Sequence, residues 1–306
     1  MRTIRASLIT LIFLSGTLTI ILGFFYFRYN AEHKDLTAKE RKTAGGQFIK
    51  LSAGYTHYQL GGPDTGKVVI LIHGFSVPYF IWDGNYEYLT SHGFRVLRYD
   101  SYGRGFSDRP DIDYTRAIYM QQLCELIAAL HLKTPASLIG VSFGGKVARD
   151  FAVSYPKLVN KLILIDPAYP SITPEAPEIM AYYHELINPG NRATGQLEDF
   201  KYPQRHPGWV EKYKVQQQYH GFVNAVVSTM YHYPVNGREE TIALNHTHKP
   251  VMLIWGKEDH TVDYHYSDSV RKLLKTEFLP VADAAHLPYL EHPELVNGKM
   301  VEFLRK

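Results

Sequence analysis

The chain has 306 residues, 45% hydrophobic and 21% charged, enough to bury a substantial core in one large domain or two small ones. Its formal charge of +3 is concentrated at the front: residues 1–42 hold seven Lys or Arg against three acids, and the remainder holds 26 against 27. The globular part therefore lacks the basic excess that nucleic acid binding needs, and the single cysteine, Cys124, excludes an intrachain disulfide.

Ala6 to Phe27 forms a run of 22 residues without a charge. As a helix at about 1.5 Å per residue, such a run covers a hydrocarbon layer of roughly 30 Å. A retained membrane anchor is expected rather than a cleaved signal peptide, because the run exceeds the usual apolar core of a signal and no A-x-A-like site follows it. Arg2 and Arg5 precede it and Arg28, Lys34, Lys39, Arg41 and Lys42 follow it, which leaves its orientation open. Residues 28–46 read as a solvated linker.

From residue 47 the pattern changes. Gln47–Leu51 and Tyr55–Leu60 alternate in polarity around Ser-Ala-Gly, predicting an antiparallel pair of edge strands. Lys67–Ile72 and Phe94–Tyr99 are nearly continuous apolar runs, as expected of strands covered on both faces, with a helix between them ending near His92-Gly93. A helix after Asp113 carries Leu123, Leu126, Ile127 and Leu130 on one face, which places Cys124 among apolar neighbours as a buried structural thiol. Strand, helix and strand follow again through Ala136–Ile139, Lys146–Tyr155 and Leu162–Ile165. This alternation predicts an α/β fold with a mostly parallel sheet and helices on both faces.

Between Pro167 and about Lys249 strand-like runs stop. Helical fragments broken by Pro and Gly carry Tyr182, Tyr183, Phe200, Tyr202, Trp209, Tyr213, Tyr219, Phe222, Tyr231 and Tyr233. The pattern predicts a helical cap over the C-terminal ends of the strands, where such sheets place their sites. Strands return at Val251–Trp255 and Glu277–Val281, before a final helix from about Pro293 to Leu304. The expected organisation is an anchor and linker over 1–46, a core over 47–166 and 249–306, and a cap over 167–248.

The stretch with most chemical content is Gly140-Val141-Ser142-Phe143-Gly144, which lies where a strand passes into a helix. Glycines two positions either side of a serine let the backbone make a cramped turn, exposing the hydroxyl at the positive end of the helix. In this context the chain resembles the α/β-hydrolase superfamily over residues 47–306. Two later stretches are similar to its motifs: Trp255-Gly256-Lys257-Glu258-Asp259 after one strand, and Ala284-Ala285-His286-Leu287-Pro288 after the last. Ala285 stands where glycine usually precedes the histidine, and Asp263 where proline often follows the acid.

The resemblance implies Ser142 as nucleophile, His286 as its base and Asp259 as the group orienting His286, with the backbone amides of Phe75 and Phe143 as oxyanion donors. Asp166, after the strand Leu162–Ile165, is the competing acid; Glu258 and Asp263 read as loop charges. His73 is expected to organise its loop, and Asp100 to Pro110 to be structural rather than a phosphate cradle. His246-Thr247-His248 has a metal-like spacing but no adjoining cluster, so a surface turn is expected and no metal or organic cofactor is implied. The implied activity is hydrolysis of mainly apolar small-molecule esters through an acyl-enzyme, with the membrane engaged through the N-terminal helix. Hydrolysis of a C–C bond in a vinylogous diketone and a non-catalytic ligand-binding module are the alternatives.

Overall fold

A computed structural model describes residues 2–170, 174–233 and 237–306. Helix α1 (Arg2–Tyr29) and the short α2 (Ala38–Thr43) precede the antiparallel strands β1 (Gln47–Leu51) and β2 (Gly54–Gly61). The alternation then begins: β3 (Val68–Ile72), α3 (Asp83–Ser91), β4 (Arg95–Tyr99), α4 (Arg116–Ala129), β5 (Ala136–Val141), α5 (Phe143–Ser154) and β6 (Val159–Ile165). Five helices follow, α6 (Glu178–Ile187), α7 (Pro189–Gly195), α8 (Trp209–Gln217), α9 (Phe222–His232) and α10 (Arg238–His246). The sheet resumes with β7 (Val251–Gly256), α11 (Tyr266–Leu273) and β8 (Glu277–Val281), and the chain closes with α12 (Pro288–Glu291) and α13 (Pro293–Arg305).

The eight strands form one sheet in the order β1-β2-β4-β3-β5-β6-β7-β8. β1 and β2 pair antiparallel, as do β2 and β4, and every later pair is parallel. Because successive strand residues point to opposite faces, each central strand divides its side chains between two layers. Val69, Leu71, Ile139, Ile163 and Ile254 pack with residues of α3 and α13. Ile70, Ile72, Leu138, Leu162 and Trp255 pack with residues of α4, α5 and α11. Burial on both sides explains why β3 is apolar at every position and β7 at all but its terminal glycine, and each such large apolar side chain contributes about 1.5–3 kcal/mol relative to exposure.

Two expectations change. Cys124 is half-buried, because α4 turns that edge partly toward solvent. The stretch after α1 is not a solvated linker. The amides of His33 and Lys34 both donate to Gln218 O at 2.9 Å, and Lys34 O accepts from the His220 amide at 2.9 Å. The Glu32 carboxylate accepts from Gly221 N at 2.9 Å and Val223 N at 2.6 Å, satisfying free donors at the start of α9. Farther on, Glu40 accepts from the Tyr219 hydroxyl and Arg41 pairs with Asp108. The charges that read as solvation are anchors whose partners lie far along the chain.

The segment between β6 and β7 is helical with no strand among its described residues; 171–173 and 234–236 lie outside them. Part of its aromatic content makes its own core: Phe200 meets Trp209 edge-on at 4.9 Å, and Tyr213 meets Phe222 at 6.2 Å, while Tyr219 and Tyr233 meet Phe106 and Phe143 outside it. α1 lies outside the packed layers. Its stretch Ile9–Tyr29 is long and apolar enough to cross a membrane and is not buried in the protein.

Candidate active site

Ser142 sits between β5 and α5 with φ 53° and ψ −121°, a conformation that L-residues rarely adopt. The surroundings hold it there: its amide donates to Ile165 O at 2.9 Å, and its carbonyl accepts from Gly145 N and Ala168 N, both at 3.0 Å. The flanking glycines are required by close approach. A Cβ on Gly140 would lie 2.2 Å from Gly144 O, and one on Gly144 would lie 2.2 Å from Ile72 O.

His286 and Asp259 come from the loops after β8 and β7. Their side chains meet at 2.8 Å, Nδ1 to Oδ2, with both residues buried. The other Asp259 oxygen, Oδ1, accepts from the amides of Thr261 at 2.8 Å and Val262 at 2.9 Å. With Nδ1 engaged, Nε2 of His286 is the nitrogen left for other work. Burial alone would lower the imidazole's pKa, but the carboxylates of Asp259 and Asp199 outweigh it, and the pKa is raised above its ordinary 6.5. Ser142 and His286 line one cavity of about 200 Å³. Ser142, unlike the fully buried Asp259, retains partial exposure there.

Asp166 lies beside this pair but does not bond the histidine. Its Oδ1 accepts from Gly256 N at 2.9 Å, whereas Oδ2, fully buried, has no donor. Burial and the neighbouring Asp259 push its carboxyl pKa well above the ordinary value. A protonated Asp166 can donate to Asp259, which resolves the orphan oxygen and removes the repulsion. Asp166, Asp259 and His286 bring ligand atoms within 4.8 Å of one another, as a cation site would. The 2.8 Å histidine–aspartate spacing is that of a hydrogen bond. Ligands placed tetrahedrally about 2.1 Å from a cation stand about 3.4 Å apart.

The amides of Phe75 and Phe143 find no acceptor within the chain among the described residues. Both belong to segments bordering the Ser142 cavity. His73 organises this region: Nδ1 donates to Gly74 O at 2.7 Å and Nε2 accepts from Ser101 N at 2.9 Å. Burial lowers its pKa to about 4, keeping it neutral. Asp100, expected to be structural, accepts from the His57 ring at 2.7 Å, Tyr79 N at 2.7 Å and Phe106 N at 2.9 Å. Glu258 is half-buried and pairs with Lys201, while Asp263, His246 and His248 are exposed.

Among the cavity residues absent from the sequence reading are Arg192, Gln196 and Asp199 from the helical insertion, and Thr261. Asp199 is tied to the site twice, its carbonyl accepting from His286 N at 3.0 Å and its carboxylate from the Thr261 hydroxyl at 2.8 Å. Glu291 was missed too. Its carboxylate accepts from Ala285 N at 2.7 Å, and from Lys201 N at 2.8 Å, joining the insertion to the histidine loop. None of the insertion's aromatic side chains lines the cavity, so that composition carries no information about its lining.

An uncharacterized protein of Mycobacterium tuberculosis is 36% identical over 101 residues, a match spanning 33% of this chain and 29% of that protein. Among solved structures, a thermophilic esterase from Thermogutta terrifontis superposes with a TM-score of 0.74 at 25% identity, covering 85% of this chain and 98% of the esterase. A meta-cleavage product hydrolase from Pseudomonas fluorescens superposes with a TM-score of 0.71 at 21% identity, over 85% of this chain and 97% of its own. The two are named for different chemistry, so the shared fold alone does not choose a reaction. The model of the alpha/beta hydrolase family matches residues 69–299, and with more than half its length inside that match, the chain belongs to the alpha/beta hydrolase family.

Proposed function

We propose that the protein is a serine hydrolase that cleaves carboxylic esters through an acyl-enzyme intermediate. The observation that supports this reading is the convergence of loops after β5, β7 and β8 on one cavity, which His286, bonded to Asp259, lines together with Ser142. In the reaction, Ser142 Oγ attacks the ester carbonyl while His286 Nε2 takes its proton, then returns that proton to the departing alkoxide. Water, deprotonated by the same nitrogen, attacks the acyl-enzyme and releases the acid. Asp259 holds the imidazole tautomer and balances the imidazolium charge. The amides of Phe75 and Phe143 receive the oxyanion, each worth about 3–4 kcal/mol of transition-state stabilisation in comparable sites.

The cavity supports a small amphiphilic ester rather than a wholly apolar one. Phe75, Val77, Ile81 and Leu287 offer an apolar wall, while Arg192, Gln196, Asp199 and Thr261 offer polar groups. The division of labour follows the element order: residues 47–166 and 249–306 form the catalytic core, 167–248 act as a cap, and α1 with the segment to residue 46 attaches the enzyme to a membrane. Its length and composition support a retained anchor.

Turnover of p-nitrophenyl esters of graded acyl length tests the reading. Wild type is expected to hydrolyse them, and Ser142→Ala to lose on the order of 10⁵–10⁶ in kcat. Saturable binding without turnover would instead indicate a ligand-binding module. Inactivity toward every ester together with cleavage of a vinylogous diketone would indicate C–C hydrolysis.

A further inference from the structure

Helix α6 begins the insertion after β6 and runs alongside α1, where the Tyr183 hydroxyl donates to Leu22 O at 2.9 Å. The contact leaves a trace on α1. Among its described large side chains, Leu22, Phe25, Tyr26 and Tyr29 are the least exposed. Their i, i+3, i+4, i+7 spacing makes one helical face, the one turned to α6. Yet α6 buries only part of its own apolar surface. Leu186 is inside the protein, whereas Ile179 and Met180 are 73% and 63% exposed.

Depth along α1 identifies what covers those two side chains. Leu22 precedes Tyr29, the last residue of the apolar stretch, by seven positions. At about 1.5 Å per residue that is roughly 10 Å inside the end of a spanning helix. Amphipathic helices that lie on membranes bury their apolar face about 5–10 Å into the boundary between headgroups and acyl chains. The last two turns of α1 hold Phe24, Phe25, Tyr26 and Tyr29, and α6 alongside adds Tyr182 and Tyr183, a concentration of aromatic side chains that suits the interface. Beyond Tyr29 the chain turns directly onto the insertion through Glu32 and Lys34, which prevents the globular part from standing off on a free tether.

We propose that α6 is a second membrane contact, seated in the interfacial layer of a lipid bilayer through Ile179 and Met180 beside the spanning α1. This rests on the reading of α1 as an anchor. It bears on function because only Asn188 separates α6 from α7, which carries Arg192 at the Ser142 cavity. A bilayer-seated α6 ties the position of α7, and with it one wall of the cavity, to the lipid surface.

The test uses the full chain with Cys124→Ser, reconstituted in phosphatidylcholine vesicles, and one fluorophore per sample attached at Leu18→Cys, Met180→Cys or Lys157→Cys. Circular dichroism checks the fold of each labelled protein. Leu18 lies at the middle of the apolar stretch Ile9–Tyr29, and Lys157 is exposed near the start of β6, at the end of the sheet opposite the insertion. With lipids brominated near the glycerol, the label at 180 should lose roughly half its fluorescence or more while that at 157 is unchanged, as expected of an interfacial side chain. Lipids brominated near the acyl terminus should quench the label at 18. Quenching at 18 with none at 180 overturns the α6 contact and leaves the anchor standing. No quenching at 18 overturns the anchor and the proposal together. A blue-shifted label at 180 that no brominated lipid quenches means that protein, such as a second copy of the chain, covers α6, which also overturns it.

Discussion

The C-terminal rim of the sheet and the helical insertion border the same cavity but achieve their geometry by opposite means. On the rim, Ser142 and Asp259 follow closely on the buried strands β5 and β7 and His286 lies five residues beyond the edge strand β8, so sheet register sets their positions. In the insertion, Arg192 and Asp199 are positioned by contacts made after folding: Arg192 forks onto Glu185 with two 2.5 Å bonds, and Asp199 is held through Thr261 and the His286 amide. A rim of this kind can keep one chemistry while the insertion changes what the chemistry is offered.

The sharpest way to break that contrast is to compare the two buried aspartates on the rim. Asp259→Asn should lower kcat by about 10⁴, since it spoils the imidazole tautomer, whereas Asp166→Asn, still able to donate to Asp259, should cost less than about tenfold. Steady-state ester kinetics decide it, and the reverse order would reassign the acid. A smaller effect is expected where the N-terminal segment grips the insertion. Glu32→Ala leaves the Gly221 and Val223 amides unpaired and should destabilise the protein by about 1–3 kcal/mol, read as a lower urea midpoint at unchanged slope. An unchanged midpoint would make that segment a passive tether.

The smallest effect tests whether the insertion tunes the rim. His286 must be neutral to accept a proton, so activity should fall as pH drops through its raised pKa. The Asp199 carboxylate favours the imidazolium, and Asp199→Asn should therefore move the acidic limb of kcat/KM to lower pH. A limb that stays in place would separate the insertion from the base.

What could be read before folding follows the same division. The strands, their burial on both faces and the strand-to-helix turn at Ser142 are local in sequence, encoded by apolar runs and by Gly140 and Gly144. The 2.8 Å His286–Asp259 contact was accessible only because the residues occupy characteristic places after successive strands. Nothing local marks Asp199 or Glu291, whose partners lie elsewhere in the fold. Glu32 misled for a related reason: a carboxylate in a polar stretch looks solvated, and only tertiary structure brings the start of α9 against it. The insertion's aromatic content was legible as composition but not as direction, since Phe200, Trp209, Tyr213 and Phe222 pair among themselves while Tyr219 and Tyr233 meet rings outside the insertion.

The backbone of Ser142 has a further consequence. A residue with a Cβ held at φ 53° and ψ −121° stores about 1–3 kcal/mol of strain, while glycine tolerates such angles freely. A glycine at 142 would relax the turn and remove the hydroxyl in the same stroke. With Ser142 as the proposed nucleophile, robustness to heat and reactivity pull this one position in opposite directions, and variants enriched for thermal resilience alone are expected to drift toward an inert protein.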